Sequence, residues 1–285
     1  MIIVRIFGGL GNQMFQYALY HVMRTRGLDT YVDLSWYNNR SCHNGYELGT
    51  LFSVLPRTAQ PADINRLAEN ENNILWKVWH RFIRRKDTFY CKYGKDAVWF
   101  FPEVFCLDEK YISGYWQSEK YFKNCEDDIR KLYSFPQFDD LENNQIAMMA
   151  KNTESVSLHV RRGDYLNEPL LKGICEDRYY EAAMKEIYKK VDKPVFFVFS
   201  NDIPWCREHF TQNNIIFINN NTGANSFRDM QLMSLCKHHI IANSSFSWWG
   251  AWLGAKNGIT IAPKKWFNGM NDGKMDIYPS EWNKI

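Results

Sequence analysis

Short unbroken apolar runs recur along this chain, each ending in a small-residue or polar cluster before a helical pattern begins, and this most limits how it can fold. The first is the clearest: residues 1–7 are apolar except for Arg5 and rich in β-branched side chains, and they run straight into Gly8-Gly9-Leu10-Gly11-Asn12-Gln13. Met14-Phe15-Gln16-Tyr17-Ala18-Leu19-Tyr20 then sets apolar side chains on one side at helical spacing. Gly27 closes that helix, and Thr30-Tyr31-Val32-Asp33 reads as a second strand. Strand, tight turn, helix, strand is the opening of a parallel α/β sheet.

The pattern returns in the second half. Residues 155–160, 195–200, 215–219, 239–242 and 259–262 read as strands, and residues 177–190, 226–236 and 247–255 as helices. Runs of Val, Ile and Phe without polar alternation suit strands covered on both faces. Residues 134–152, with Pro136 and the polar run Asp139-Asp140-Leu141-Glu142-Asn143-Asn144, read as a linker. With 285 residues and roughly 150 residues per domain, the expectation is two α/β domains, 1–150 and 151–285, with a last helix able to pack back on the first. Residues 61–86 read as one further helix, ending in the basic cluster His80-Arg81-Phe82-Ile83-Arg84-Arg85-Lys86.

Composition excludes several classes. Hydrophobic residues are 45% and charged residues 24% of the chain, which rules out a disordered, collagen-like or coiled-coil protein. A formal net charge of +3 is too small for a protein that coats nucleic acid, so no nucleic-acid partner is expected. Seven cysteines without a C-x-x-C pair read as reduced thiols in a cytosolic protein, not as a zinc site. No stretch approaches the ~20 apolar residues of a membrane span, and the N-terminus lacks the basic leader and long apolar core of a secretory signal. The expected location is the cytoplasm. The basic cluster at residues 81–86 is either a solvated helix end or a peripheral contact with the inner face of an anionic membrane.

Ligands of open α/β sheets bind beyond the carboxyl ends of the strands, and four polar clusters stand there. Gly8-Gly9-Leu10-Gly11-Asn12-Gln13 is a partial dinucleotide fingerprint with Met14 where a third glycine belongs; Asp33 would be its ribose acid. Leu158-His159-Val160-Arg161-Arg162-Gly163-Asp164-Tyr165 brings two arginines to a strand end, where guanidinium groups match pyrophosphate oxygens bidentately. Phe199-Ser200-Asn201-Asp202 offers a carboxylate that either accepts from a guanine edge or caps a helix. Asn243-Ser244-Ser245-Phe246-Ser247-Trp248-Trp249-Gly250 gathers hydroxyls and free amides at a helix start, an anion cradle or a plain N-cap. Trp248, Trp249 and Trp252 read as packing. No His-x-x-x-His, acidic triad or Asp-x-Asp stands where a catalytic metal would sit, so charge stabilisation falls to the arginines and a helix end.

The first, second and fourth clusters in this order, together with Gly114-Tyr115-Trp116-Gln117-Ser118-Glu119-Lys120-Tyr121-Phe122, resemble the bacterial α-1,2-fucosyltransferases along essentially the whole chain. The resemblance implies a GT-B fold: two Rossmann-like α/β domains facing across a cleft, the C-terminal one holding the nucleotide and the N-terminal one mainly the acceptor. It implies inverting transfer of L-fucose from GDP-β-L-fucose to the 2-hydroxyl of a terminal galactose, on an oligosaccharide that is free or lipid-linked, with no metal and no cofactor. Carried onto this chain, it places Arg161 on the pyrophosphate, with Arg162 and Asp164 holding the loop. His159 and Asp202 would read guanine, and Asn243, Ser244, Ser245 and Phe246 would line the donor phosphates. Asn12 would reach the sugar and β-phosphate from the other domain. Gln13, Gln117 and Glu119 are acceptor-side candidates. Glu119, Asp33 and His43 are candidates for the base that takes the acceptor proton, with the leaving phosphate as the alternative.

Two rivals remain at this point. A dehydrogenase or nucleotide-sugar epimerase would bind NAD on the first glycine loop and leave Arg161 and Arg162 without a task. A lectin-like protein would use the aromatic residues, 16% of the chain, and has no need of a basic pocket beside a helix start. Oligomeric state has no signal in the sequence.

Overall fold

The computed structural model describes residues 1–38, 43–68, 87–270 and 275–285. These form two compact units, Met1–Leu132 and Tyr133–Ile285.

The first unit is built on a four-stranded sheet: β1 (Ile2–Arg5), β2 (Thr30–Asp33), β3 (Phe89–Lys92) and β4 (Lys110–Gly114), in the order β2-β1-β4-β3. Every pairing is parallel. Ile3 and Val4 are completely buried, as strands covered on both faces require. The helix Leu10–Thr25 starts directly after β1 and returns the chain to β2. Gly8 holds φ at +82°, in the left-handed region, so a Cβ there would be strained.

The second unit has six parallel strands: β5 (Glu154–Val160), β6 (Pro194–Ser200), β7 (Ile215–Ile218), β8 (His238–Ile240), β9 (Thr260–Ala262) and β10 (Asn283–Lys284). Their order is β10-β9-β8-β5-β6-β7. The apolar residues at the centre of β5 and β6 are core: Val156, Leu158, Phe196 and Phe197 are fully buried. The helix Asp177–Lys190 packs Tyr180, Ala183 and Ile187 onto one face of this sheet. The helices Leu141–Asn152 and Phe227–Leu235 close the other face with Ile146, Ala150, Leu232 and Met233.

The second sheet reverses direction once, and the first twice. In the first, β2 lies on one flank of β1 and β4 on the other. In the second, β6 lies on one flank of β5 and β8 on the other. A crevice opens at the carboxyl ends of such strand pairs, and it is where ligands bind in sheets of this kind.

The structure corrects several expectations. The expected linker at 134–152 belongs to the second unit, and its polar residues start a helix, because Asp140 caps Leu141–Asn152 by accepting the Asn143 amide at 2.7 Å. The division therefore falls after Leu132, not near residue 150. The end of the chain is a strand instead of a helix: β10 pairs with β9 inside the second sheet. The helix expected over 61–86 is described only as Pro61–Leu67, and the basic cluster at 81–86 lies outside the described residues. β3, β4 and β10 were not foreseen.

Candidate active site

In the second unit the chain's motifs meet at the reversal between β5 and β8. Val160 ends β5, and Arg161 follows, its guanidinium Nη2 at 2.9 and 3.0 Å from the two Asp164 carboxylate oxygens. Arg161 Nε is buried with no hydrogen-bond partner. A buried unsatisfied donor on a charged group is costly, and an anion in the crevice would remove that cost. Arg162 has different surroundings. Its Nε donates to Asp202 at 3.2 Å, its guanidinium lies 4.2 Å over the Trp205 ring, and its backbone N–H donates to Asn201 Oδ1 at 2.9 Å. Arg162 therefore ties the loop to the end of β6. Gly163, at φ +46°, is needed because Asn201 Nδ2 occupies the space of a Cβ.

Tyr165 links this loop to the one after β8, its hydroxyl donating to the Asn243 carbonyl at 3.3 Å. Ser244 is the N-cap position of the helix Ser245–Leu253, which begins two residues earlier than the sequence pattern suggests. Ser245 and Phe246 are its first residues, where backbone N–H groups lack intrahelical partners and carry the positive end of the helix dipole. Ser244 is nearly buried, while Ser245 and Phe246 are half-buried. His159 is buried beside them, its ring 5.9 Å from Phe246. Burial, with the Arg161 charge second, pushes its pKa down to about 3, so His159 is neutral. Its Nδ1 is buried without a partner.

Two residues expected at the donor have structural duties. Asn243 is buried, and its amide donates to the Trp266 carbonyl at 3.1 Å and the Leu171 carbonyl at 3.4 Å, bracing the loops around the crevice. Asp202 accepts the Trp205 amide with one oxygen, as an N-cap, and Arg162 with the other. Trp248, Trp249 and Trp252 are buried packing.

Sequence reasoning passed over Asp229. It lies in the first turn of Phe227–Leu235, where an acidic residue reads as a simple partner of the helix dipole. Burial raises its pKa to about 7, and it accepts Asn221 Nδ2 at 2.8 Å within a chain of buried amides that includes Asn143.

In the first unit the parallel pairing of β1 with β4 brings the Gly8–Gln13 turn to the loop after β4. Gln16, completely buried, spans them: its Oε1 accepts the Phe7 amide at 2.9 Å and its Nε2 donates to the Gly114 carbonyl at 3.0 Å. Asn12 Oδ1 accepts from Gln117 Nε2 at 2.9 Å. Gln13, expected on the acceptor side, is engaged within the unit. It is fully buried and clamps the Gly8 and Gly45 carbonyls and the Glu47 amide. Gln117 and Glu119 are also buried, and Glu119 takes Lys123 Nζ at 3.0 Å. Asp33 accepts the Tyr111 hydroxyl with one oxygen and the Ser35 amide with the other, so it does not present the free ribose acid of a dinucleotide site. Of the three base candidates only His43 is exposed.

Among the described residues no group of three or more His, Cys, Asp or Glu side chains could hold a metal ion. No helix among them is long and apolar enough to cross a membrane.

Two successive parallel α/β units, with motifs gathered at their strand ends, fit the GT-B architecture that the resemblance implied. The model of the family described as "Glycosyl transferase family 11" matches residues 65–285. Relatives include an Escherichia coli "Alpha-1,2-colitosyltransferase", 35% identical and covering 100% of this chain and 99% of the relative. Another is the Escherichia coli "O-antigen biosynthesis glycosyltransferase WbnK", 30% identical over 95% of this chain and 96% of that protein. A "Galactoside alpha-(1,2)-fucosyltransferase 2" from Oryctolagus cuniculus is 24% identical over 91% of this chain and 68% of its own. The chain belongs to glycosyltransferase family 11, as the resemblance in its motifs implied, and it is an enzyme.

Proposed function

We propose that the chain transfers L-fucose from GDP-β-L-fucose to the 2-hydroxyl of a terminal galactose in a glycan, with inversion, forming an α-1,2 linkage. The observation that carries this reading is Arg161, held by Asp164 with a buried Nε left unpartnered, in the same strand-end crevice region as the start of the helix Ser245–Leu253. As the fucosyl–oxygen bond breaks, negative charge grows on the β-phosphate of the departing GDP. Fixed donors aimed at that charge stabilise the transition state more than the ground state. Arg161 and the amides at Ser245 and Phe246 are the groups for this, and His159, kept neutral by burial, is suited to hydrogen-bonding an uncharged base. The acceptor's 2-oxygen forms the new bond to C1 from the opposite face, and its proton passes to a base or to the leaving phosphate. Neither a metal nor a cofactor has a part in this reading.

Two of the relatives are named for α-1,2 transfer, one of colitose and one of fucose, so the test offers both sugars as donors. The protein is incubated with GDP-fucose or a colitosyl donor and a panel of galactosides, free and lipid-linked, with linkage analysis of the product. An α-1,2-fucosylated galactoside, formed equally well with EDTA, is expected. Transfer of colitose alone, another linkage or a strict manganese requirement would overturn the reading in the corresponding part.

A further inference from the structure

All four strands of the first sheet are followed by an aromatic residue at the carboxyl edge. Phe7 follows β1, Trp36 follows β2, Tyr93 follows β3 and Tyr115 follows β4. The sheet gathers them into one surface around Phe7, whose ring centroid lies 4.9 Å from Tyr115, 6.1 Å from Tyr93 and 6.4 Å from Trp36. Phe7 is buried beneath, while the other three are half-buried. This surface lies at the carboxyl ends of the strands, where sheets of this type take ligands. It borders the Asn12 turn: His43, stacked on Trp36 at 6.3 Å, has its Nδ1 3.2 Å from the position of a Cβ on Gly9.

We propose that this aromatic surface is the platform for the acceptor, and that its occupant is the terminal galactose ring. The proposal rests on the galactoside reading above and deepens it. A pyranose has hydroxyls at its rim and C–H bonds on its faces. In galactose the axial 4-hydroxyl leaves H3, H4 and H5 together on one face, a compact apolar patch that fits an aromatic ring. In glucose the equatorial hydroxyl breaks up that patch. Aromatic side chains of this kind supply rigid contact area with a polar tip for rim hydroxyls. A nucleobase also stacks on aromatic rings and is the rival occupant. In a dinucleotide site, however, the acid at the end of β2 binds the ribose, and Asp33 has both oxygens engaged by Tyr111 and Ser35.

The test uses lactose, which ends in galactose, and cellobiose, its counterpart ending in glucose. In saturation-transfer NMR on the wild-type protein, the strongest transfer is expected at galactose H3, H4 and H5 of lactose, with little to cellobiose. Uniform transfer to both disaccharides would overturn the platform. In steady-state assays, Trp36→Ala and Tyr115→Ala are expected to raise the lactose KM tenfold or more while leaving the GDP-fucose KM unchanged. Trp36→Phe and Tyr115→Phe should stay within about threefold of wild type, because an aromatic face remains. Folded alanine variants with an unchanged lactose KM, or with donor and acceptor KM rising together, would overturn it. A wild-type protein that transfers no sugar to any galactoside would instead overturn the proposed function, while the NMR contact would still test the platform.

Discussion

The two sheets solve the same topological problem with opposite chemistry. Each has a central strand flanked on both sides and brings two strand-end loops together there. At the β5/β8 reversal the loops carry Arg161, Arg162, Asp164 and a helix start, and they are braced through charge: Arg162 to Asp202, Arg161 to Asp164. At the carboxyl ends of β1 and β4 the braces are amides, Gln16 and Gln13, and the surface is aromatic. A leaving phosphate gains charge during the reaction, so charged groups at its site favour the transition state. A sugar hydroxyl and a ring face need neutral donors, acceptors and apolar area. The difference teaches that one architecture is assigned its substrate by what the strand ends carry.

The largest effect is expected where the charged reversal is broken. Arg161→Ala should lower turnover roughly a hundredfold or more and weaken GDP binding, while the melting temperature changes little. Arg161→Lys should fail nearly as badly, because a point charge does not reproduce the guanidinium fork. Near wild-type turnover of either variant at saturating GDP-fucose would remove Arg161 from the mechanism.

Asn12→Ala puts the contrast to its sharpest test. Turnover should fall roughly tenfold or more, as for a lost oriented donor, while calorimetry finds GDP affinity unchanged. Equal large losses in both would place Asn12 in support of the fold.

Gln16→Leu attacks the neutral brace. It strands the Phe7 amide and the Gly114 carbonyl, at about 1–3 kcal/mol for each buried unsatisfied group. A melting temperature lower by several degrees is expected, and an unchanged one would mean that the two loops hold their places without it.

The smallest effect concerns Asp229, whose carboxyl is raised to about 7 by burial. The folded state prefers this group protonated, so the penalty is absent below the ordinary carboxylate range, grows as pH rises and is complete above about 7. Asp229→Asn keeps an acceptor for Asn221 and removes the charge. Denaturant unfolding should find the variant gaining roughly 2 kcal/mol over wild type between pH 5 and pH 8. A pH-independent difference would mean that the carboxylate is ionised throughout.

Much of this was legible from residues alone. β6 reads as a strand because its apolar run is nearly unbroken, and the helix at Asp177–Lys190 falls where its periodicity puts it. β3 and β4 escaped, since Phe89–Lys92 and Lys110–Gly114 are short and mix lysine with tyrosine. The polar run at 139–144 read as a linker because its caps are also loop residues. Only a packed structure buries Asn143 against Asn221. Gln13 and Asn243 looked like ligand contacts for the same reason, for an amide side chain has the same chemistry whether it faces a substrate or two backbone carbonyls.

The amino-acid sequence by itself determined the strand-and-helix alternation, the motifs and the family, because each depends on residues close together in the chain. Tertiary structure decided which of two adjacent arginines is tied down and which keeps an unpartnered donor, which glutamines brace and which borders the turn, and that four aromatic residues more than a hundred positions apart at their extremes form one surface. These are facts of strand order and register. They arise only when the sheet is assembled, since neighbours across a parallel sheet are distant along the chain.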